Sequence, residues 1–251
     1  YFAIFDKKSN DAMIMARDYV SPEYTHDFTI TNTTPSLAQT TNQGGEITPF
    51  LEFVENYQTL DGKIEKLKDK TPDGSPVYYE SMANIFANRD KRLAATVLYS
   101  GSEFKGKVTS IQAGQKVWNQ QTGNYDYITG MSLGDKDENE LLIRGFDGPS
   151  EDKNITNTGF YLKKFVSTSS DAGLSAVKAS NYWPIFRYAE ILLNTAEAGF
   201  ELGKPQAIDY INAIREDAGF GPNSLVSLTF EDIIQERKVE LAFEGHRYFR
   251  S

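Results

Sequence analysis

Hydrophobic and polar positions are distributed unevenly along this 251-residue chain. Only the last third shows sustained helical periodicity. Ile191, Leu192, Ala196 and Phe200 fall at helical spacing and predict a helix over 187–202. Gly203 then supplies a left-handed C′ position, and Pro205 opens the next helix, 206–218, with Ile208, Ile211, Ile214 and Ala218 on one stripe and Gly219 as terminator. A third helix over 229–244 starts at Thr229, whose hydroxyl can cap. Asp232 is the partner for a capping box, and Leu228 with Ile233 forms a hydrophobic staple. The first two helices are expected to pack as an antiparallel hairpin about the size of one tetratricopeptide unit. One such unit cannot bury both its apolar faces, and no second copy is found, so further helices are expected from an upstream region.

Upstream the pattern is weaker. Residues 1–20 fit a short strand or a buried turn, and 49–57 reads as a short helix with Phe50, Val54 and Tyr57 on one side, ended by Asp61-Gly62. From Ser21 to Thr48 a polar stretch shows almost no aliphatic periodicity and reads as a long loop. Leu93 to Tyr99 is β-favourable, and 101–165 reads as mostly irregular, with Gly and Asn punctuating aromatic positions. The fold expected is mainly α: a tetratricopeptide-like helical scaffold with long irregular loops and a few short β-strands. Residues 1–180 form its loop-rich, ligand-binding part and 181–251 the helical scaffold of the same domain.

Composition narrows the partners. Hydrophobic residues make up 39% and charged residues 24%, which suits a folded domain. A formal net charge of −9 argues against nucleic acid and against an anionic membrane surface, since both reward clustered Lys and Arg. With no cysteine, disulfides and thiolate metal sites are unavailable. The first residues, Tyr1-Phe2-Ala3-Ile4-Phe5-Asp6, have neither an initiator Met nor the features of a signal peptide, so the chain reads as beginning inside a longer protein.

The run Trp183-Pro184-Ile185-Phe186-Arg187-Tyr188-Ala189-Glu190-Ile191-Leu192-Leu193-Asn194, followed by Ala196-Glu197-Ala198 and Ile211-Asn212-Ala213-Ile214-Arg215, resembles the SusD/RagB family. Glu236-Arg237-Lys238-Val239-Glu240-Leu241-Ala242-Phe243-Glu244-Gly245-His246-Arg247-Tyr248-Phe249 is similar to that family's most recognisable block. Shorter echoes upstream, among them Asp61-Gly62-Lys63, Tyr99-Ser100-Gly101-Ser102 and Gly159-Phe160-Tyr161, occur in family order. The chain departs from the family pattern after Phe249 and lacks the family's N-terminal helical region and lipobox cysteine. The resemblance implies a non-enzymatic, cell-surface protein of the outer membrane that binds a glycan or oligosaccharide and delivers it to a SusC-like TonB-dependent transporter, anchored through an upstream lipid. Peptide binding of the RagB kind is the alternative, and a helical-repeat scaffold for protein partners is another.

Sugar binding needs flat aromatic faces flanked by amides and hydroxyls. The segment 113–128 has that mix, and its Trp118, Tyr125, Tyr127, Asn124 and Gln115 are the candidate ligand contacts; packing of a long loop onto its own domain is the competing reading. Tyr24, His26, Asp27 and Phe28, at the start of the polar stretch 24–43, are a second candidate, whereas Trp183 fits a structural anchor. Glu236, Glu240 and Glu244 share one helical face. Glycoside hydrolysis needs two carboxylates facing each other across a sugar, so these glutamates read as ion-pair formers, with Arg237, Arg247, Arg187 or Glu190 in the pairing scheme. Asp135, Asp137 and Asn139 match part of a calcium loop, but Glu140 stands at its glycine and Phe146 at its bidentate glutamate. His26 and His246 lie in no catalytic motif. No catalytic residue, metal site or cofactor is expected.

Overall fold

In the computed structural model the described residues are 1–8, 10–39, 44–149 and 155–246. The chain opens with a 3-10 turn at Phe2–Phe5 and strand β1 (Met13–Arg17), then runs through short helices α1 (Phe28–Asn32), α2 (Pro35–Ala38) and α3 (Leu51–Glu55). A 3-10 turn at Met82–Phe86 precedes helix α4 (Arg92–Thr96) and strands β2 (Val97–Leu98), β3 (Glu103–Phe104), β4 (Lys107–Val108), β5 (Gly114–Asn119), β6 (Asn124–Thr129) and β7 (Tyr161–Leu162). After a 3-10 turn at Leu174–Ala176, strand β8 (Trp183–Arg187) leads into helices α5 (Tyr188–Glu201), α6 (Ala207–Asp217) and α7 (Phe230–Glu240). Among the described residues there are four sheets, each a two-stranded antiparallel ladder: β1–β8, β2–β7, β3–β4 and β5–β6. The architecture is therefore mixed rather than mainly α.

The three C-terminal helices form as their periodicity and caps dictate. Leu193 and Ala196 of α5 meet Ile211 and Ile214 of α6 and Ile233 of α7 in one buried cluster. Gly203 is left-handed between the first two helices. Arg187 is still in the strand, so α5 starts at Tyr188, one residue after the sequence places it, and α7 ends at Glu240 rather than 244. The capping box at Thr229 and Asp232 is complete. Thr229→Ala is expected to cost about 1 kcal/mol, read as a small drop in melting temperature.

Two further cores sit upstream. Alternation along β2 sends Val97 into a cluster with Val54, Tyr57 and Val239, and Leu98 into another with Leu37, Phe104 and Tyr161. Three expectations are corrected here. The polar stretch after Ser21 is not a structureless loop, because Thr34 caps α2 through its hydroxyl and Thr29, Asn32 and Leu37 are buried; residues 40–43 lie outside the described residues. Residues 92–96 are helical rather than a strand, since Asp90 accepts the Arg92 backbone N–H at 2.9 Å and starts a turn that Val97 then leaves for the extended region. Helix α3 is shorter than the 49–57 span expected, and of the residues expected on one side of it Val54 and Tyr57 are buried but Phe50, at its N-cap, is exposed. Pro184 is tolerated in β8 because a two-stranded ladder has only edges.

Buried charges join the upstream cores to the helices. Arg92 Nη1 lies 2.6 Å from Glu236 and 2.7 Å from Glu240, while its Nη2 holds Asp90 at 2.6 Å. Arg187 reaches Glu240 at 2.5 Å and Glu244 at 2.7 Å, Lys164 reaches Glu244 at 2.7 Å, and Arg215 reaches Glu236 at 3.2 Å. Four cations thus meet four carboxylates, all essentially out of water. Of the partners expected from sequence, Arg187 is used. Arg237 instead lies 3.6 Å from Glu197, Glu190 lies 3.5 Å from His246, and Arg247 is outside the described residues.

Candidate functional site: a cleft along the free edge of a β-hairpin

The segment holding the candidate ligand residues is not irregular. It is the β5–β6 hairpin, paired from Gly114↔Thr129 to Asn119↔Asn124. Its four-residue turn is built by Asn119, whose side-chain oxygen accepts the backbone N–H groups of Gln121 (2.9 Å) and Thr122 (3.2 Å), and by Gly123 at φ +64°. Register divides the five candidates. Trp118↔Tyr125 and Lys116↔Tyr127 put three aromatic side chains on one face, whereas Gln115↔Ile128 and Asn119↔Asn124 put both amides on the other.

On the aromatic face, the Trp118 and Tyr125 rings meet edge to face, with centroids 5.1 Å apart at 75°. They do not make a coplanar platform. The segment 69–70 packs beside them: Tyr125 donates its hydroxyl to the Asp69 carbonyl at 2.5 Å, and the Lys70 ammonium lies 5.3 Å from the Trp118 ring centre and 2.8 Å from the Asn124 side-chain oxygen. Lys116 forms an ion pair with Asp69 at 2.7 Å, which raises the lysine's pKa and lowers the aspartate's. Tyr127 is 71% exposed.

The free edge of β5 forms one wall of a cleft of about 1010 Å³. Trp118 and Gln115 reach it; Tyr125, Tyr127 and Asn124 do not line it. The other walls are the 3-10 turn at Met82–Phe86, the segment 137–149 with Leu141 and Leu142, and the segment 157–160. Phe86 is held in place by stacking on Tyr99, centroids 4.2 Å apart. Gln115 donates to Asp137 at 3.1 Å, and Asp137 also accepts the backbone N–H groups of Asn139 and Leu141, both at 2.9 Å. These bonds, led by that from Leu141, hold the Asp137 carboxyl below its usual range. The acidic run resembling part of a calcium loop is therefore a turn stabilised by its own aspartate. Sequence reasoning missed Tyr78, Phe86, Asn139 and Asn157 in this cleft; the one available signal was the aromatic pair Tyr78-Tyr79 in a polar, Pro-rich segment.

The other candidates are placed differently. His26 pairs with Ala179 through the backbone, and Phe28 packs on Trp183 (5.0 Å) and Phe165 (5.8 Å). Trp183 stacks on Phe165 at 4.7 Å and 17°, an aromatic anchor between β8 and the upstream core.

A two-helix hairpin and third helix carrying a loop- and hairpin-built cleft define the class of scaffold. The SusD family model matches residues 4–249, and the chain belongs to that family. Among curated proteins it is similar to a SusD-like protein P2 of Formosa agariphila, 37% identical over 102 residues, covering 36% of this chain and 20% of that protein. Among solved structures it resembles a SusD-like protein from Bacteroides fragilis, with TM-score 0.63, 23% identity and coverage of 99% of this chain and 45% of that one. A SusD-like carbohydrate binding protein from the same species gives TM-score 0.66, 22% identity and coverage of 96% and 41%. The chain thus spans less than half the length of the relatives it matches.

Proposed function

We propose that this chain is the ligand-binding part of a cell-surface glycan-binding protein, lipid-anchored at the outer membrane, that passes oligosaccharide to a SusC-like TonB-dependent transporter. The cleft along β5 carries the reading: an indole at its wall, neutral amides and a tyrosine at its rim, and an apolar floor are what a sugar chain needs. Membership of the SusD family supports it, as does the resemblance to a structure described as a carbohydrate binding protein. The reading is of a binding protein and not a hydrolase. Asp137 is the one carboxylate lining the cleft among the described residues, and Glu236, Glu240 and Glu244 are engaged by buried cations. The helical hairpin serves as a tetratricopeptide-like scaffold in this reading, with residues 1–180 as the ligand-binding part and 181–251 as the scaffold part. Met82, Ile85, Leu141 and Leu142 in the lining favour a peptide as the second reading.

Trp118→Ala is expected to weaken glycan binding roughly tenfold, about 1.4 kcal/mol, with unchanged folding. Calorimetry with a glycan found by array screening of the full-length protein measures it. Unchanged affinity would move the site away from β5, with the Tyr24 to Phe28 segment next to test. Tyr125, Tyr127, Asn124 and Gln115 are expected to contribute less than Trp118, since the first three lie outside the cleft and the last is bonded to Asp137.

A further inference from the structure

Among the described residues, two charged side chains line the cleft, Lys116 and Asp137. Both are committed: Lys116 to the Asp69 carboxylate, and Asp137 to two backbone N–H groups and the Gln115 amide. The polar groups that remain available are neutral. The side-chain amides of Asn139 and Asn157 and the hydroxyl of Tyr78, which is 76% exposed, have no hydrogen-bond partner among the described residues. They stand on three different walls of the cleft, the Asn139 turn, the 157–160 segment and the segment before the 3-10 turn. Among the described residues, an oxyanion entering here would lose hydration with no unpaired cation in the lining to replace it, against a net charge of −9. Lys70, beside Trp118, does not line the cleft and is held by the Asn124 side-chain oxygen at 2.8 Å. A ligand ammonium would find Asp137, the one lining carboxylate among the described residues, already satisfied.

Resting on the glycan-binding reading, we propose that the cleft selects an uncharged oligosaccharide, held by contact with the Tyr78 and Trp118 rings and by hydrogen bonds from Asn139 and Asn157. Such side-chain amides both donate and accept, which matches the dual character of sugar hydroxyls and gives no advantage to a uronate or a sulfate ester. The cleft volume lies at the top of the usual small-molecule range of about 300–1,000 Å³, so an oligosaccharide fits it better than a single sugar.

The test is calorimetry on the full-length protein with two sets of oligosaccharides. One set is neutral, gluco-, manno- and xylohexaoses of defined linkage; the other is charged, hexagalacturonate, hexaguluronate and a sulfated carrageenan hexasaccharide. The expected result is binding confined to the neutral set, weakened at least tenfold by the double substitution Asn139→Ala with Asn157→Ala. Both residues are exposed, and circular dichroism verifies that the variant is folded. Tight binding of a charged oligosaccharide that Trp118→Ala abolishes would overturn the uncharged class while leaving the glycan reading intact. Neutral binding indifferent to the asparagine pair would overturn their assignment. Binding of apolar peptides with no oligosaccharide bound at all would sink the glycan reading and this inference with it.

Discussion

Glu240→Ala is expected to lower the free energy of unfolding by about 3–5 kcal/mol while leaving glycan affinity per folded molecule unchanged. Glu240 is 4% exposed and accepts from both Arg92 (2.7 Å) and Arg187 (2.5 Å), whose side chains are as deeply buried. The surrounding network is balanced: Arg92, Arg187, Lys164 and Arg215 against Asp90, Glu236, Glu240 and Glu244. Removing one carboxylate leaves one buried positive charge in excess, and the Asp90, Glu236 and Glu244 carboxylates that stay are already engaged. The loss is structural because Glu240 does not line the cleft along β5. Thermal or urea denaturation measures the first half of the prediction and calorimetry the second. Unchanged melting combined with lost binding would contradict both the network's role and its separation from the ligand site.

The same network explains where sequence reasoning stopped. The starts of α5, α6 and α7 were legible because periodicity is a local signal and, at α7, the Thr229 capping box lies within four residues of the boundary; α5 and α6 start without a side-chain cap. The end of α7 was not. Past Glu240 the helical carbonyls are taken by distant donors: Arg187 Nη2 and the Tyr1 hydroxyl reach the Glu240 carbonyl at 2.7 and 2.6 Å, and Lys164 reaches the Ala242 carbonyl at 2.9 Å. Phe243 at φ +63° and Gly245 at φ +84° then turn the chain away. No local pattern announces donors that lie up to 239 residues away.

The hairpin failed to announce itself for a different reason. Strands are read from an apolar face alternating with a polar one, and β5–β6 has no core-facing side: Trp118, Tyr125 and Lys116 meet segment 69–70, and Gln115 meets segment 137–142. The usable signal was the turn, Asn119-Gln120-Gln121-Thr122-Gly123, with an asparagine at its start and a glycine at its end. Trp118 could be singled out by composition alone, but its partners in the cleft come from segments 78–86, 137–149 and 157–160, brought together only by tertiary folding.

Acid is expected to destabilise the fold steeply below about pH 4.5, and Glu240 sets the size of the effect. Burial alone would push its carboxyl up, but the guanidiniums of Arg187 and Arg92 outweigh burial and hold it down to about 2, against 4.5 for the unperturbed group. A depressed carboxylate contributes stability that is complete above the unfolded value and disappears as pH falls through the folded one, so the window is about pH 4.5 to 2. A gap of about 2.5 corresponds to about 3 kcal/mol at about 1.4 kcal/mol for each tenfold change in proton activity. Glu244, where Lys164 and Arg187 overcome burial, adds in the same direction. Glu236 acts against it, because burial outweighs Arg92 and Arg215 and raises its carboxyl, so its protonation favours the folded state. Lys164 gives the opposite limb. Burial outweighs Glu244 and lowers its ammonium to about 8 from 10.5, so the folded state releases a proton before the unfolded one and stability from this group rises between those values. Chemical denaturation at a series of pH values measures both limbs. In Glu240→Ala the acid limb is expected to flatten, and an acid limb as steep as the parent's would show that other carboxylates control the transition.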